Sequence, residues 1–591
     1  MNIIERITSL RNLMLIKGID GYLIYGTDPH LSEYVPDAWC TRAWISGFTG
    51  SYGKVAITQK SAALWTDSRY FIQAESQLSG TGIVMIKDRR SDTISVDKWM
   101  QKELKTGSVV ATDGLTISAT EANTLEQKLC ANGIKLELYE DLVSLIWENR
   151  PSPSHDLIFD YPLSFAGLSR SEKLSQIRNR LTLTGAEATI LCQLDDLAWG
   201  FNLRGSDIIY NPLFTGYGYI DNHRAVLFIE DIKVPTALRD DLEREGISIM
   251  NYPSIFSFLE EFIPNKIYLD PDRTNSLIYR SISKQFKVID GIGIPTLLKS
   301  IKNEVEISGM RAAHIRDGVA MVKFLHWFDE HFKKEIITEL SISNKLREFR
   351  SEQPFFMGES FSSIVGFGSH GAIVHYNATY ETDIEILPDG ILLFDSGGQY
   401  LDGTTDITRT ISTGIVTSQQ KKDFTLVLKG MIQLTKAIFP ENIKGYSLDI
   451  LARKDLWNNG LNYGHGTGHG VGHYLSVHEG PMAIRQEYNG EPICAGQIIT
   501  NEPGLYREGE YGIRIENVLL CKDECKSDFG RFLSFDTLTL CPIDLKLVNV
   551  QLLTDEERIW INSYHEMVLT ELESGLNKDL LIWLKSHCTP I

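Results

Sequence analysis

Hydrophobic positions recur along this chain with two different periods, and the switches between them outline its organisation. Residues 3–16 are apolar at helical spacing around Glu5, Arg6 and Arg11, which predicts an amphipathic helix. The run SAALWTD and residues 225–229 are short and apolar, the pattern of buried strands. A helical period returns at Asn303 in NEVEISGMRAAHIRDGVAMVKFLHWF, where Asn303 and Glu306 have the spacing of an N-terminal cap. Beyond it, β-like runs at 390–394, 512–516 and 532–540 alternate with Gly- and Asp-rich turns. The stretch 554–574 is helical again, with Glu556 and Glu557 in its first turn. Trp560 and Trp583 lie in this tail, which is therefore expected to pack on a domain or on a second subunit.

Two breaks divide the pattern. One is the Pro/Ser-rich segment 149–156, and the other is 299–303, where strands and turns give way to the long helix. They predict domains at 1–150, 151–302 and 303–591. The first two look like a weak repeat: AWISGFTGS before SAALWTD, and AWGFNLRGS before 225–229, each put a Trp-initiated, Gly-Ser-terminated segment ahead of a β-rich stretch. The expectation is an α/β (α+β) protein with two related α/β domains ahead of a third.

Composition narrows the function. At 591 residues the chain exceeds what one core supports. Its 43% hydrophobic and 23% charged residues are ordinary for a globular protein. There is no signal-peptide pattern near the start and no run of about 18 apolar residues, so a cytoplasmic protein with no membrane partner is expected. The formal charge is -19, from 77 acidic and 58 basic residues, and that field repels phosphate backbones. Nucleic acid is therefore not an expected partner. The eight cysteines are scattered and complete no zinc pattern, and Cys541 in LTLCPI reads as core.

Five residues carry the chemistry: Asp395, Asp406, His469, Glu502 and Glu516. Asp395 ends the buried run ILLFD at a Ser-Gly-Gly turn, and Asp406 alternates with Thr404, Thr408 and Thr410 on one face of a predicted strand. Gly397, Gly398, Asp402 and Gly403 between them favour a reversal, which would bring both carboxylates to one point. In residues 463–473, YGHGTGHGVGH, five glycines in nine positions exclude a helix. An extended chain there puts His465 and His469 on one face, with glycines that let the backbone approach a ligand. Glu502 is delivered by an apolar run to a Pro-Gly turn, and Glu516 shares a strand face with Arg514, a pattern that a plain surface ion pair would also give. Any one of these alone is an ordinary turn aspartate or surface glutamate. Together they are an oxygen-dominated set suited to hard divalent cations, and four buried carboxylates call for two of them.

These motifs, in this order, resemble the pita-bread metallopeptidases, and in particular the three-domain cytosolic type of Xaa-Pro aminopeptidase. The resemblance runs through LWTDSRYF, LDDLAWGFNLRGSDIIYNPLF, GAIVHYNAT, LLFDSGGQYLDGTTDITRT, GHGTGHGVGHYLSVHEGP, ITNEPGLY and YGIRIENV. It implies two creatinase-like N-terminal domains followed by a pita-bread catalytic domain. It implies two divalent ions per chain, manganese first, with zinc or cobalt as alternatives, held by Asp395, Asp406, His469, Glu502 and Glu516. Asp406 and Glu516 would bridge the pair. Glu502 would be the general base towards a water shared by the ions, His375 would meet the oxyanion, and His465 and His478 would line the pocket and assist proton movement. Arg69, His375, His469 and His478 would contact the peptide. The implied substrates are peptides with proline second, and the implied assembly is a homodimer. Two other readings remain at this level: a prolidase confined to Xaa-Pro dipeptides, and a pita-bread module that binds peptides without cleaving them.

Overall fold

The computed structural model describes residues 1–89, 92–261 and 264–591. They form two compact units, Met1–Pro162 with Leu168–Thr296, and Leu163–Gly167 with Leu297–Ile591. No described helix is long and apolar enough to cross a membrane.

The N-terminal unit contains two six-stranded sheets of one design. Across the first, the strands run Val84–Lys87, Ala62–Thr66, Lys54–Thr58, Gly21–Tyr25, Val109–Asp113 and Lys135–Tyr139. Across the second they run Ile247–Met250, Ala225–Phe228, Tyr217–Asp221, Ala188–Leu191, Lys266–Leu269 and Lys287–Asp290. In both, the third strand across is antiparallel to its two neighbours and the outer pairs are parallel. Trp44 and Trp199 sit on corresponding helices, Thr41–Ser46 and Leu194–Gly200, so the short sequence echo marks a structural repeat. Each copy also has a helix ahead of its first sheet strand closed by a capping box, Asn2 with Glu5 and Ser169 with Glu172. A cap of this kind stabilises a helix end by about 1 kcal/mol.

The second unit is built on the 28-residue helix Glu304–His331, whose Asn303 side chain accepts from Val305 and Glu306 while Glu306 reaches back to the Asn303 amide. A three-stranded sheet orders Ile364–Phe367, Ile391–Ser396 and Ile407–Ser412. A six-stranded sheet contains Gly468–Gly470, Ile498–Asn501 and Asn517–Ser527. The helices Asp555–Leu572 and Lys578–His587 close the chain, and Tyr564, Val568, Leu572, Leu580 and Leu584 enter the same core as Phe424, Val427 and Ile513. The tail therefore packs on its own unit. Trp560 stacks on Tyr564, and Trp583 Nε1 donates to Asp329 at 2.9 Å. All eight cysteines are free thiols, with Cys541 fully buried.

Candidate active site

The centre forms where threonine hydroxyls of the strand Ile407–Ser412 meet the segment 514–516. In the antiparallel pair Ile391–Ser396 and Ile407–Ser412, Asp395 lies opposite Thr408. The alternating strand expected from Thr404 to Thr410 is interrupted: Gly403–Thr404 pairs with Gly398–Tyr400, and a second strand begins only at Ile407. Asp406 thus stands at a break, not on a continuous face. Thr408 Oγ1 donates to Glu516 Oε2 at 2.7 Å, and Thr410 Oγ1 donates to the Arg514 carbonyl at 3.0 Å. These bonds fasten the 514–516 segment beside both aspartates.

The histidine comes from a strand that only glycine permits. A Cβ on Gly468 would lie 2.0 Å from the Thr500 carbonyl oxygen, so a side chain there would push Gly468–Gly470 off its neighbour. The His469 amide donates to Thr500 Oγ1 at 3.0 Å. Its Nδ1 lies 2.9 Å from the Gly470 carbonyl, which assigns the proton to Nδ1 and leaves the Nε2 lone pair facing the carboxylates. Nε2 is 3.5 Å from Asp406 Oδ2 and 3.6 Å from Glu502 Oε1. Those gaps are long for direct hydrogen bonds; ligands about 2.1 Å from one shared ion stand about 3.0–3.4 Å apart.

The charge balance is one-sided. Arg514 reaches Asp395 Oδ2 through Nη2 at 2.7 Å and Nε at 3.2 Å, and it is buried, which rules out a surface pair. No second arginine or lysine reaches the four carboxylates among the described ion pairs. Burial pushes Asp406 and Glu516 well above the ordinary carboxylate range, and the neighbouring carboxylates add to it. Burial likewise pushes Glu502 up to about 7, against the pull of Arg514. Ligand atoms of Asp406, His469 and Glu516 all lie within 4.8 Å of one another. Asp395 Oδ1 is buried with no hydrogen-bond partner. Buried lone pairs aimed together without donors are what a cation satisfies, so the donor set fits divalent metal.

The other expected residues fall as follows. The His478 ring lies 4.4 Å from that of His469, edge to face. His465 Nδ1 is 3.9 Å from Glu502 Oε2 and donates to the Gly466 carbonyl at 2.7 Å, while its Nε2 accepts from the Tyr506 hydroxyl at 2.8 Å. His375 is half-buried in a turn whose Val374 carbonyl accepts from Arg514 Nη1 at 3.4 Å. Arg69 belongs to the N-terminal unit, where its Nε and Nη2 each bond Asp67 at 2.9 Å between the rings of Tyr52 and Tyr70. Sequence reasoning missed Tyr506, which accepts from Arg514 Nη1 at 2.6 Å and so links Asp395 to His465. It also missed Arg409, which donates to the Glu516 carbonyl at 2.6 Å and to the Tyr564 hydroxyl at 2.8 Å, tying the tail to the centre. An arginine set between Thr408 and Thr410 was the hint the sequence offered for Arg409, and it is weak in one sequence.

Fold and donor set define a pita-bread metallohydrolase. Residues 308–523 match the model of metallopeptidase family M24, and 531–591 match its C-terminal region. Residues 6–144 and 149–306 each match a creatinase/prolidase N-terminal domain. The chain is 39% identical to a probable Xaa-Pro aminopeptidase P of Paracoccidioides lutzii, over 99% of both chains. A protein of the same description from Coccidioides posadasii is 38% identical, again over 99% of both. The crystal structure of the X-prolyl aminopeptidase of Caenorhabditis elegans, described as cytosolic with a di-nuclear active site, superposes with a TM-score of 0.96 at 35% identity over 100% of both chains. A prolidase from Thermococcus sibiricus shares the fold over 64% of this chain, with a TM-score of 0.51 and 21% identity. The chain therefore belongs to metallopeptidase family M24, among the Xaa-Pro aminopeptidase P proteins, with two creatinase-type N-terminal domains ahead of the pita-bread domain.

Proposed function

We propose that this protein is a metalloaminopeptidase that hydrolyses the bond between an N-terminal residue and a following proline. The observation that carries the hydrolytic chemistry is the convergence of Asp406, His469 and Glu516 with the unsatisfied Asp395 Oδ1. Proline selectivity is supported by likeness along the whole chain to the proteins named above. Asp395, Asp406, His469, Glu502 and Glu516 would hold two divalent ions, manganese first. Bound there, such ions neutralise the carboxylates, acidify a water and polarise the scissile carbonyl.

The residues then divide the work. Glu502 takes a proton from the attacking water as its oxygen bonds the carbonyl carbon. An Xaa-Pro amide nitrogen has no N–H, so it leaves only when protonated, and Glu502 returns the proton to it as the C–N bond breaks. His375 donates towards the oxyanion, and His478 and His465 orient the groups around Glu502. Arg69 grips substrate residues beyond the proline. We further propose a cytoplasmic homodimer; the Caenorhabditis elegans enzyme is described as cytosolic.

The test is hydrolysis by chelator-stripped protein with manganese, zinc or cobalt restored in turn. Xaa-Pro-Yaa peptides should be cleaved and Xaa-Ala-Yaa peptides scarcely at all, with Arg69→Ala losing most on the longest substrates. Full activity in excess chelator, with no metal by elemental analysis, would sink the reading. Cleavage of Xaa-Pro dipeptides alone would replace it with a prolidase.

A further inference from the structure

Glu339 is a fully buried carboxylate at the first position of the helix Glu339–Ser351, and the proposed chemistry does not use it. The helix N-terminus favours its charge, yet burying a carboxylate remains costly unless its oxygens are filled. One loop fills them. The Phe367 amide donates to Oε1 at 2.9 Å, His370 Nδ1 lies 3.0 Å from both oxygens, and the Tyr376 hydroxyl donates to Oε2 at 2.9 Å. These three residues bracket the turn that carries His375.

The opposite side of that loop is clamped as tightly. A Cβ on Gly512 would lie 1.7 Å from the Gly371 carbonyl oxygen, so the loop rests directly on the backbone of Tyr511–Arg514. The Val374 carbonyl takes its hydrogen bond from Arg514, which also bonds Asp395. The turn before His375 is thus held between Glu339 and the strand that leads into the metal ligands.

We infer that Glu339, acting through Phe367, His370 and Tyr376, is the positioning residue that sets His375 against the substrate carbonyl. This deepens the proposed reaction and rests on it for the role of His375. A misplacement of about 1 Å at a reacting group costs about 100-fold in rate, so a carboxylate remote from the chemistry can control it.

The test uses full-length, manganese-loaded protein and an Xaa-Pro-Yaa peptide. Glu339→Gln should lower kcat by about 100-fold, with KM changed less than kcat and metal content unchanged. Tyr376→Phe removes one bond of the three and should lower kcat by about 10-fold. In a His375→Ala background, Glu339→Gln should alter kcat by no more than about 2-fold, because its route is already gone. An undiminished kcat in Glu339→Gln, or the full loss repeated in the His375→Ala background, overturns the inference. Should Glu339→Gln fail to fold, Tyr376→Phe is carried through the same cycle and decides by the same criteria. Amide exchange across 366–376 supplies a readout independent of turnover: faster exchange in Glu339→Gln supports the anchor, and unchanged exchange overturns it. If wild-type protein does not cleave Xaa-Pro peptides while exchange still rises in the variant, the peptidase reading fails and the anchor stands.

Discussion

Two buried charge clusters in the second unit are built on opposite plans. In one, Arg350 Nε and Nη2 bond the two oxygens of Asp317 at 2.8 and 3.2 Å, and Tyr400 adds a third bond at 3.0 Å. Burial raises the Asp317 carboxyl, but Arg350 overrides it and holds the group below its ordinary value. In the other, Asp395, Asp406, Glu502 and Glu516 share Arg514, and Asp406 and Glu516 are pushed upward. The first cluster pairs one carboxylate with one guanidinium, so its charge is balanced within the protein. The second sets four carboxylates against one arginine, and divalent cations held there as proposed would offset the repulsion among them.

The largest effect that would sharpen this contrast is at Asp406. Asp406→Asn should lower kcat on the order of 10³-fold or more, while chelator-stripped variant protein should melt higher than stripped wild type, since one like charge is gone. A lower melting temperature in the stripped variant would break the like-charge account. At the balanced cluster the outcome should reverse. Asp317→Ala leaves Arg350 buried and unpaired, so denaturant titration should show a loss of about 3–5 kcal/mol, with metal content and kcat per folded molecule unchanged. Metal loss in that variant would show that the clusters are not separate in function.

A smaller effect separates the histidines. His469→Ala should lose metal and activity together. His375→Ala and His478→Ala should keep metal and lose about 100-fold in kcat, the scale of one missing transition-state contact. Equal metal loss in all three, by elemental analysis, would break the division. The smallest effect is in acid. The folded Asp317 pKa lies below the ordinary 3.8, so its stabilisation is full above that value and fades as pH falls through the lower folded one. The stability gap between wild type and Asp317→Asn should therefore be flat above about pH 4 and narrow below it. A gap that widens in acid would reverse the assignment.

Local features were legible because they are local. The Asn303–Glu306 cap needs three residues of spacing, and the alternating glycines exclude a helix at 463–473, although the strand there is confined to Gly468–Gly470 and His465 lies at a bend before it. The paired AW-to-GS segments announced a repeat whose two sheets share order and polarity. The break before Ile407 was not legible, because the alternation of Thr404, Asp406, Thr408 and Thr410 is that of a continuous strand, and only pairing with two different partners interrupts it. The surface-pair alternative for Arg514 fell only to its burial against Asp395 and Tyr506.

By itself the sequence determined which side chains this protein offers: four carboxylates and an imidazole at strand ends and turns, among glycines that admit close backbone contact. Tertiary structure alone decided how they are held. Thr408 meets Glu516 across 108 residues, Arg514 meets Asp395 across 119, and Arg409 meets Tyr564 across 155. Residue spacing carries the short periods of helices and strands, whereas contacts of that range depend on how whole sheets pack and which groups lose water when they do.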